Sequence, residues 1–206
     1  METPADKLGE LMRRYAAGED AVFEELYRMM APRLHRFCCR LVARGAEADD
    51  LFQDTLLRLH RARATFMPGA SVMHWAFAIT RSAHLDRLRY RRRRPEDLGS
   101  VSDAAQQDRL HADERYSPEA AVRARALRDI VTAELGKLSE KNRVAYVLIK
   151  EEGLSVKEAA AVLGTTAAVV KQRAHRAYEH LRVALGNAGW KEDEHDGSWD
   201  AIAVRV

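Results

Sequence analysis

Cysteine is scarce in this chain of 206 residues, which contains two, Cys38 and Cys39. Neighbouring cysteines pair only with strain, and two thiolates alone do not make a zinc site. Both lie in an apolar stretch, so we expect buried free thiols of the kind found in a reducing compartment. The sequence therefore excludes a disulfide-stapled fold and predicts no bound metal or other cofactor.

Long apolar runs are also missing. No segment reaches the roughly 20 apolar residues that cross a bilayer, and the polar first ten residues contain no apolar signal core. We therefore expect a cytoplasmic protein. Alternating strand patterns are absent from the sequence as well, because nearly every apolar stretch advances in steps of three and four residues. The predicted fold class is all-α.

Charge of neither sign dominates, because the formal net charge is only +3. The distribution of charge is more informative than its sum. Residues 87–94 read RLRYRRRR, and six arginines in eight residues are typical of a phosphate-binding surface. A solvated helix end would have a similar composition, so this run alone does not decide between the two.

The helical pattern falls into two blocks. Residues 1–95 form the first predicted domain, and residues 118–186 form the second. Between them, residues 96–117 have few large apolar side chains and six acidic against two basic residues, which predicts a flexible linker. The tail, residues 187–206, is acidic and then apolar, and we assign it no structure. Both domains are expected to be small and helical.

Three helices are predicted in the first domain. The first spans an apolar stretch that should bend or break at Pro32 and end at Gly45. The second starts near Glu47, and the third follows a loop at 65–71. The residues expected on the inner face of the third helix are Val72, Trp75, Ile79, Ala83 and Leu88.

Four helices are predicted in the second domain. The first starts at Pro118, and the next is capped by Ser139. Ser155 and Glu158 have the spacing of a capping box, which opens a third helix ending at Gly164. The residues of the first helix that we expect in the core are Val122, Leu127, Ile130, Val131 and Leu135.

The last two of these helices have the pattern of a helix-turn-helix. At about 100° per residue, the final helix separates into two faces. The apolar face contains Val170, Ala174, Ala177 and Leu181. The opposite face contains Lys171, Gln172, His175 and Arg176, with Arg173 on its flank. These polar side chains suit base edges and phosphates and none is acidic, which favours a DNA-recognition helix over a merely solvated face.

Sequence blocks in both domains resemble the extracytoplasmic-function class of sigma factors. The blocks are ADDLFQDTLLRLHRA at 48–62, HWAFAITRSAHLDRLRYRRRR at 74–94, LSEKNRVAYVLIKEEGLSVKEAAAVLG at 138–164 and VVKQRAHRA at 169–177. Two unrelated motif sets occur in the order of that family around a linker. Thr80 and Ser82 depart from the Ala and Asn that the family usually has. The resemblance covers residues 20–94 and 118–185.

This resemblance implies a protein that binds core RNA polymerase and directs initiation at promoter DNA, using sigma domain 2 and sigma domain 4. The residues implied to bind core polymerase are Asp50, Leu51, Gln53 and Asp54. The residues implied to read and open the −10 element, beside the 65–71 loop, are Phe66, Trp75, Arg81, Ser82, Asp86 and Arg89. The residues implied to read the −35 element are Lys171, Gln172, Arg173, His175 and Arg176. The expected inhibitor is an anti-sigma factor.

The sequence leaves two other functions to consider. A dimeric helix-turn-helix regulator that never enters polymerase would explain residues 118–185, but not Trp75, Arg81 or the arginine run. An enzyme could use the carboxylates within 47–54 to hold Mg²⁺. It would then need a second acidic motif or a Gly-rich phosphate loop, and the sequence has neither. We therefore expect no catalysis and no small-molecule substrate.

Overall fold

The computed structural model describes residues 3–42, 45–93 and 118–190, and every regular element in these ranges is helical. The helices group into two compact units, one before residue 94 and one after residue 117. The prediction of an all-α chain with two small helical domains is therefore confirmed. The predicted linker at 96–117 and the tail after residue 190 lie outside the described residues.

Among its described residues, the first unit packs four α-helices around one apolar core, with short 3-10 turns at Asp20–Val22 and Arg63–Thr65. Their bounds are α1 Pro4–Ala16, α2 Phe23–Leu41, α3 Gly45–Ala62 and α4 Val72–Arg93. Helix α2 contacts the other three, and α3 also packs along α4. Leu34 and Phe37 of α2 are fully buried, and the Phe37 ring lies 4.7 Å from that of Phe77 in α4. Helix α2 is thus the support on which α3 and α4 lie side by side.

Helix α1 is not among the helices predicted from the sequence. Thr3 caps it, because the Asp6 backbone N–H donates to Thr3 Oγ1 over 3.2 Å and the Asp6 carboxylate accepts from the Thr3 N–H over 3.1 Å. The buried residues of α1 are Leu8, Leu11, Met12 and Tyr15. Both the reciprocal cap and this helical spacing are visible in the sequence, so the helix was predictable.

Helix α2 continues through Pro32, so the predicted bend or break does not end the helix there. Proline lacks a backbone donor and crowds the carbonyl four residues earlier, here that of Arg28. Pro32 lies on the exposed side of α2, where water can satisfy that carbonyl, while Met30 and Leu34 anchor the opposite side in the core. Gly45, which we expected to end this helix, is instead the first residue of α3.

The two cysteines have different environments. Cys38 is fully buried, and burial raises the pKa of its thiol to about 12, which is typical of an inert core thiol. Cys39 is half-buried, with Sγ 3.7 Å from His35 Nδ1. The prediction of buried thiols is therefore confirmed for Cys38 and wrong for Cys39. Consecutive helical residues point about 100° apart, so both could not face the same core.

The inner face of α4 differs from the predicted one. Trp75, Ile79 and Leu88 are only partly buried and lie on its flanks. The residues that the structure buries are Val72, Met73, Ala76, Phe77, Thr80, Ala83 and His84. The core accepts Thr80 because its hydroxyl donates to the Ala76 carbonyl over 2.8 Å. The predicted inner face is therefore confirmed for Val72 and Ala83 and wrong for Trp75, Ile79 and Leu88, because counting large apolar residues shifted the expected face round the helix.

Within residues 118–190, the second unit contains four α-helices and one π-helical turn. Their bounds are α5 Pro118–Lys137, α6 Glu140–Tyr146, the π-helical turn Val147–Glu151, α7 Val156–Leu163 and α8 Ala167–Asn187. Helix α8 packs against the other three helices. Ser139 precedes α6 as predicted, but its side chain makes no capping hydrogen bond. The turn after α6 was not predicted, and it places Val147 and Leu148 in the core.

The buried face of α5 is close to the predicted one. Leu127, Val131 and Leu135 are buried, and Ile130 is partly buried. Val122 is the exception, because 69% of it is exposed. It lies about 140° round the helix from Leu127, on the side away from the core.

Candidate nucleic-acid interface

The helix-turn-helix predicted in the second unit is present in the structure. Ser155 and Glu158 form the predicted capping box, with hydrogen bonds of 2.8 and 3.2 Å between each backbone N–H and the other side chain. Gly164 ends α7 with φ +56°, a left-handed conformation that glycine adopts readily. Thr166 then caps α8 by accepting from the Val169 N–H over 3.4 Å. These local signals fix where α8 begins and how it leaves α7.

The two faces of α8 are those predicted from the sequence. Val170, Ala174, Ala177 and Leu181 are buried. Lys171, Gln172, His175 and Arg176 are exposed, and Arg173 is half-buried. No carboxylate occurs on α8 before Glu179, which pairs with Arg182 at 2.9 Å. The first turns of α8 therefore present donors and cations without acidic competition, as a phosphate- and base-reading surface requires.

The outward side of α3 is a narrow stripe that is partly apolar. Asp50 and Gln53 are exposed there, and Leu57 lies between them around the helix with 55% of its surface in solvent. We call Asp50, Gln53 and Leu57 the outer stripe of α3. A single exposed leucine does not by itself mark a binding surface, so the outer stripe is a candidate only together with its polar groups.

Two of the residues implied to bind polymerase are placed differently. Leu51 is 0% exposed and lies in the core, so it supports α3 and has no surface to offer a partner. The Asp54 carboxylate lies 3.2 Å from Arg58, one turn later on α3, and 3.7 Å from Arg87 of α4. Its charge is thus already paired within the unit. Of the four implied residues, only Asp50 and Gln53 belong to the outer stripe.

The residues implied to act at the −10 element also divide into exposed and packed groups. Phe66 is buried, with its ring edge-on to that of Trp75 at 5.3 Å, so it shapes the 65–71 loop and is not open to a base. Met67 projects from the loop instead, with 73% of its surface exposed. On α4, Ser82 is exposed, and Arg81 is half-buried.

Asp86 and Arg89 are linked to each other and to α3. Asp86 accepts from Arg58 over 2.7 Å and from Arg89 over 2.9 Å. The hydrogen bond from Arg58 holds the pKa of Asp86 below its usual value, and Arg89 adds to the effect. Asp86 therefore acts first as the acceptor that orients two arginines, and Arg89 is the group that reaches solvent, with 65% of its side chain exposed.

Sequence reasoning did not single out Leu57 and Met67, which are exposed, or Arg58, and it named Arg87 only as part of the arginine run. Leu57 had a readable signal, because it is an apolar residue on the polar side of an otherwise regular helix. The roles of Arg58 and Arg87 depend on the packing of α3 against α4, which no local pattern predicts.

The carboxylates considered for a metal site are dispersed. Glu47 pairs with Arg91, Asp49 lies 2.8 Å from His35, and Asp54 faces Arg58. Within the ranges that the structure describes, no three His, Cys, Asp or Glu residues converge as metal ligands. None of the helices described there is long and apolar enough to cross a membrane.

Family models match each unit separately. The model for Sigma-70 region 2 matches residues 26–94, and the model for Sigma-70, region 4 matches residues 128–181. The first match spans α3 and α4, and the second spans the helix-turn-helix. The two regions therefore follow the order of the two helical units.

Curated relatives align with most of the chain. The RNA polymerase sigma factor CarQ of Myxococcus xanthus is 34% identical over 180 residues, covering 85% of this chain and 95% of the relative. The ECF RNA polymerase sigma factor SigM of Mycobacterium tuberculosis is 33% identical over 182 residues, covering 86% and 84%. An alignment of that length includes both units.

Two solved structures resemble the fold. The sigma factor RpoE of Bartonella quintana, in complex with the anti-sigma factor NepR, has a TM-score of 0.64 at 27% identity and covers 80% of this chain and 96% of its own. CnrH, in complex with the cytosolic domain of CnrY, has a TM-score of 0.60 at 25% identity, with coverages of 87% and 97%.

Proposed function

The chain belongs to the extracytoplasmic-function class of the sigma-70 family, and we propose how its two units divide promoter recognition and polymerase binding. It is an RNA polymerase sigma factor that directs transcription initiation. The observation that carries the proposal is the match of two different sigma regions to two separate helical units. A dimeric regulator would need only the second unit and leaves the region 2 match over 26–94 unexplained.

The second unit, proposed to span residues 118–186, reads the −35 element with α8. Lys171, Gln172, His175 and Arg176 are exposed on one side, opposite the residues that fix α8 in its core. Arginine and lysine suit guanine edges and phosphates, and glutamine suits adenine. Arg173 lies on the flank, where a phosphate contact would hold the helix in register.

The first unit, proposed to span residues 1–95, docks on core polymerase through the outer stripe of α3. Leu57 supplies an apolar centre, and Asp50 and Gln53 supply polar groups around it. Interfaces of this composition take most of their affinity from the buried apolar residue and most of their orientation from the polar rim. Leu51 and Asp54 support the stripe from within the unit.

The 65–71 loop and α4 are proposed to open and hold the −10 element. Met67 offers an exposed apolar side chain for an unpaired base, and Arg81, Ser82 and Arg89 line the adjoining helix. Stacking and phosphate neutralisation would offset the cost of unpairing the duplex. Phe66 and Trp75 hold the loop, and Asp86 positions Arg89.

Two structurally similar proteins were solved in complex with another protein, which supports control of this chain by a protein inhibitor. RpoE was solved with NepR, and CnrH was solved with the cytosolic domain of CnrY. We propose that an anti-sigma factor binds this chain as well and competes with polymerase for the outer stripe of α3. We propose further that the protein acts in the cytoplasm, where its polymerase and promoters lie, and has no catalytic activity or small-molecule substrate.

Run-off transcription with purified core polymerase tests this function. Genomic fragments, including the region upstream of the protein's own gene, serve as templates. We expect discrete transcripts that require the added protein. They should disappear with a double variant in which Lys171 and Arg176 are both changed to Ala. Binding of duplex DNA with no transcript from any fragment would instead support the dimeric regulator.

A further inference from the structure

One arginine of α3 joins the two helices that carry the docking and promoter-opening surfaces. Arg58 Nη1 lies 2.7 Å from Asp86 Oδ2 of α4, and Arg58 Nε lies 3.2 Å from Asp54 Oδ1 of α3. A planar guanidinium can hold two carboxylates in fixed directions at once. Arg58 therefore fixes the side of α4 that contains Asp86 against the side of α3 that contains Asp54.

The contacts of Arg58 continue in both directions. Arg87 Nε lies 3.7 Å from Asp54 Oδ2, and Arg87 Nη2 donates to the backbone carbonyl of Asp50 over 2.6 Å. At the other end, Asp86 accepts from Arg89 over 2.9 Å. We call Arg87, Asp54, Arg58, Asp86 and Arg89 the ion chain. It begins at the backbone of the outer stripe and ends at the arginine proposed to contact −10 DNA.

Arg58 itself belongs to neither surface. It lies about 100° round α3 from Leu57, and one third of its side chain, 33%, is exposed. Its hydrogen bonds from Nε and Nη1 go to Asp54 and Asp86 of the same unit, so the guanidinium is held between α3 and α4. A change at this position therefore acts on both surfaces only through the ion chain.

We propose that Arg58 is a positioning residue that couples polymerase docking to promoter opening. This inference rests on the proposed function of α3 and α4. Arg58 and Arg89 both bind the Asp86 carboxylate, so Arg89 is held less tightly than it would be as the single partner. Arg58 also keeps α4 in a fixed register with the outer stripe. Without it, Asp86 binds Arg89 more closely and less of the arginine is available to the −10 phosphates.

The unit should fold without Arg58. Asp54 keeps Arg87 as a partner, and Asp86 keeps Arg89, so removing the guanidinium leaves neither carboxylate unpaired. Both carboxylates also reach solvent, with 30% and 43% of their side chains exposed. The substitution therefore separates positioning from folding, because buried unpaired charges are what usually unfold such variants.

The test compares Arg58→Ala, Arg58→Lys and a matched control, Arg28→Ala, in full-length protein assembled with core polymerase. Arg28 forms an i,i+4 pair with Glu24 on α2, as Arg58 does with Asp54, but contacts neither surface. Each holoenzyme is assayed for core affinity, for closed-complex formation and for permanganate reactivity near −10. For Arg58→Ala we expect core affinity within about twofold and open complex lower by about tenfold.

Two further readouts sharpen the result. Arg58→Lys should recover only part of the open complex, because an ammonium keeps the charge but not the two-directional geometry. In a background that already contains Asp86→Ala, adding Arg58→Ala should cost little more. Normal opening by Arg58→Ala, or a loss of opening that only follows weaker polymerase binding, would overturn the inference. A wild-type protein that fails to bind polymerase would instead refute the proposed function.

Discussion

Helices α8 and α4 are both proposed to present arginine toward DNA, but their arginines lie in opposite electrostatic settings. The proposed −35 face of α8 is exposed and has no carboxylate among residues 167–178. On α4, Arg87, Arg89 and Arg91 each pair with an aspartate or glutamate of the same unit. The cations of α8 can bind a duplex directly, whereas Arg87, Arg89 and Arg91 of α4 must first give up a protein partner.

This difference suits the order of events at a promoter. Duplex recognition needs a surface that is ready before binding, since phosphate contacts steer the encounter. Strand opening occurs within the assembled holoenzyme, where a surface whose charges are held in place until then avoids binding unrelated DNA. We therefore propose that the ion chain is what makes the −10 surface of the first unit behave differently from the −35 surface of the second unit.

The largest effect is expected at the outer stripe. Changing Asp50 to Arg should lower affinity for core polymerase by about 30-fold or more if its polymerase contact is desolvated, because breaking such a charge pair costs about 2–5 kcal/mol, and by less than about fivefold if the contact stays at the rim. The fold should survive, since the Asp50 side chain is exposed. A pull-down titration with circular dichroism checks both. The control is Glu24→Arg, an equally exposed reversal on α2, and equal losses for the two variants would remove the outer stripe from the interface.

A somewhat smaller effect is expected on α8. Changing Arg176 to Ala should cost about 1–3 kcal/mol of promoter affinity and relax preference at one base pair, if the side chain reads a base edge. Competition binding on single-base promoter variants measures this. Arg182→Ala, two turns further along α8, serves as the control because Arg182 already pairs with Glu179. A uniform loss on all promoter variants would assign Arg176 to a phosphate.

Salt dependence compares the two helices directly. The slope of log promoter affinity against log salt concentration should become about one unit less steep with Lys171→Ala. The reason is that a phosphate contact by an unpaired cation releases one counterion. Arg89→Ala should change the slope by less than half as much, since Arg89 exchanges one anion, Asp86, for another. Equal changes of slope would show that the ion chain does not restrain α4.

The two helices also differ in how well their sequences predict them. The faces of α8 follow from helix angle alone, because Val170 and Leu181 are large and the polar residues opposite them are unambiguous. On α4 the core accepts Ala76, Thr80 and His84, and Thr80 is tolerated because its hydroxyl bonds to its own helix. Such compensation depends on tertiary packing, which a single sequence does not report.

The proposed site residues also differ between the two units in how well the sequence predicts their exposure. Four of the proposed recognition residues on α8 are exposed and Arg173 is half-buried on the flank, as the helix angle alone predicts for a single helix. In the first unit, Leu51 lies in the core and Phe66 packs on Trp75, although family motifs alone assign both to binding. Motif residues combine contact and support roles, and only packing separates them. Arg58 matters through two helices at once, so no pattern within one helix identifies it.

The smallest effect concerns acid stability. The pKa of Asp86 is lowered in the folded protein, chiefly by the hydrogen bond from Arg58, so its stabilisation is complete above the ordinary value of 3.8 and is lost as pH falls through the lowered one. The difference in melting temperature between wild type and Arg58→Ala should be constant from about pH 6 to 8 and shrink in acid below 3.8. Thermal melts across this range measure it, and a difference that changes near neutrality would implicate another group.

Permanganate footprinting of one promoter, with the protein and core polymerase added separately and together, tests the central claim most directly. We predict reactive thymines near −10 only when both are present, together with protection of the −35 element in a parallel nuclease footprint. Protection at −35 by the protein alone, unchanged by polymerase and without reactive thymines, would contradict the assignment of promoter opening to the first unit.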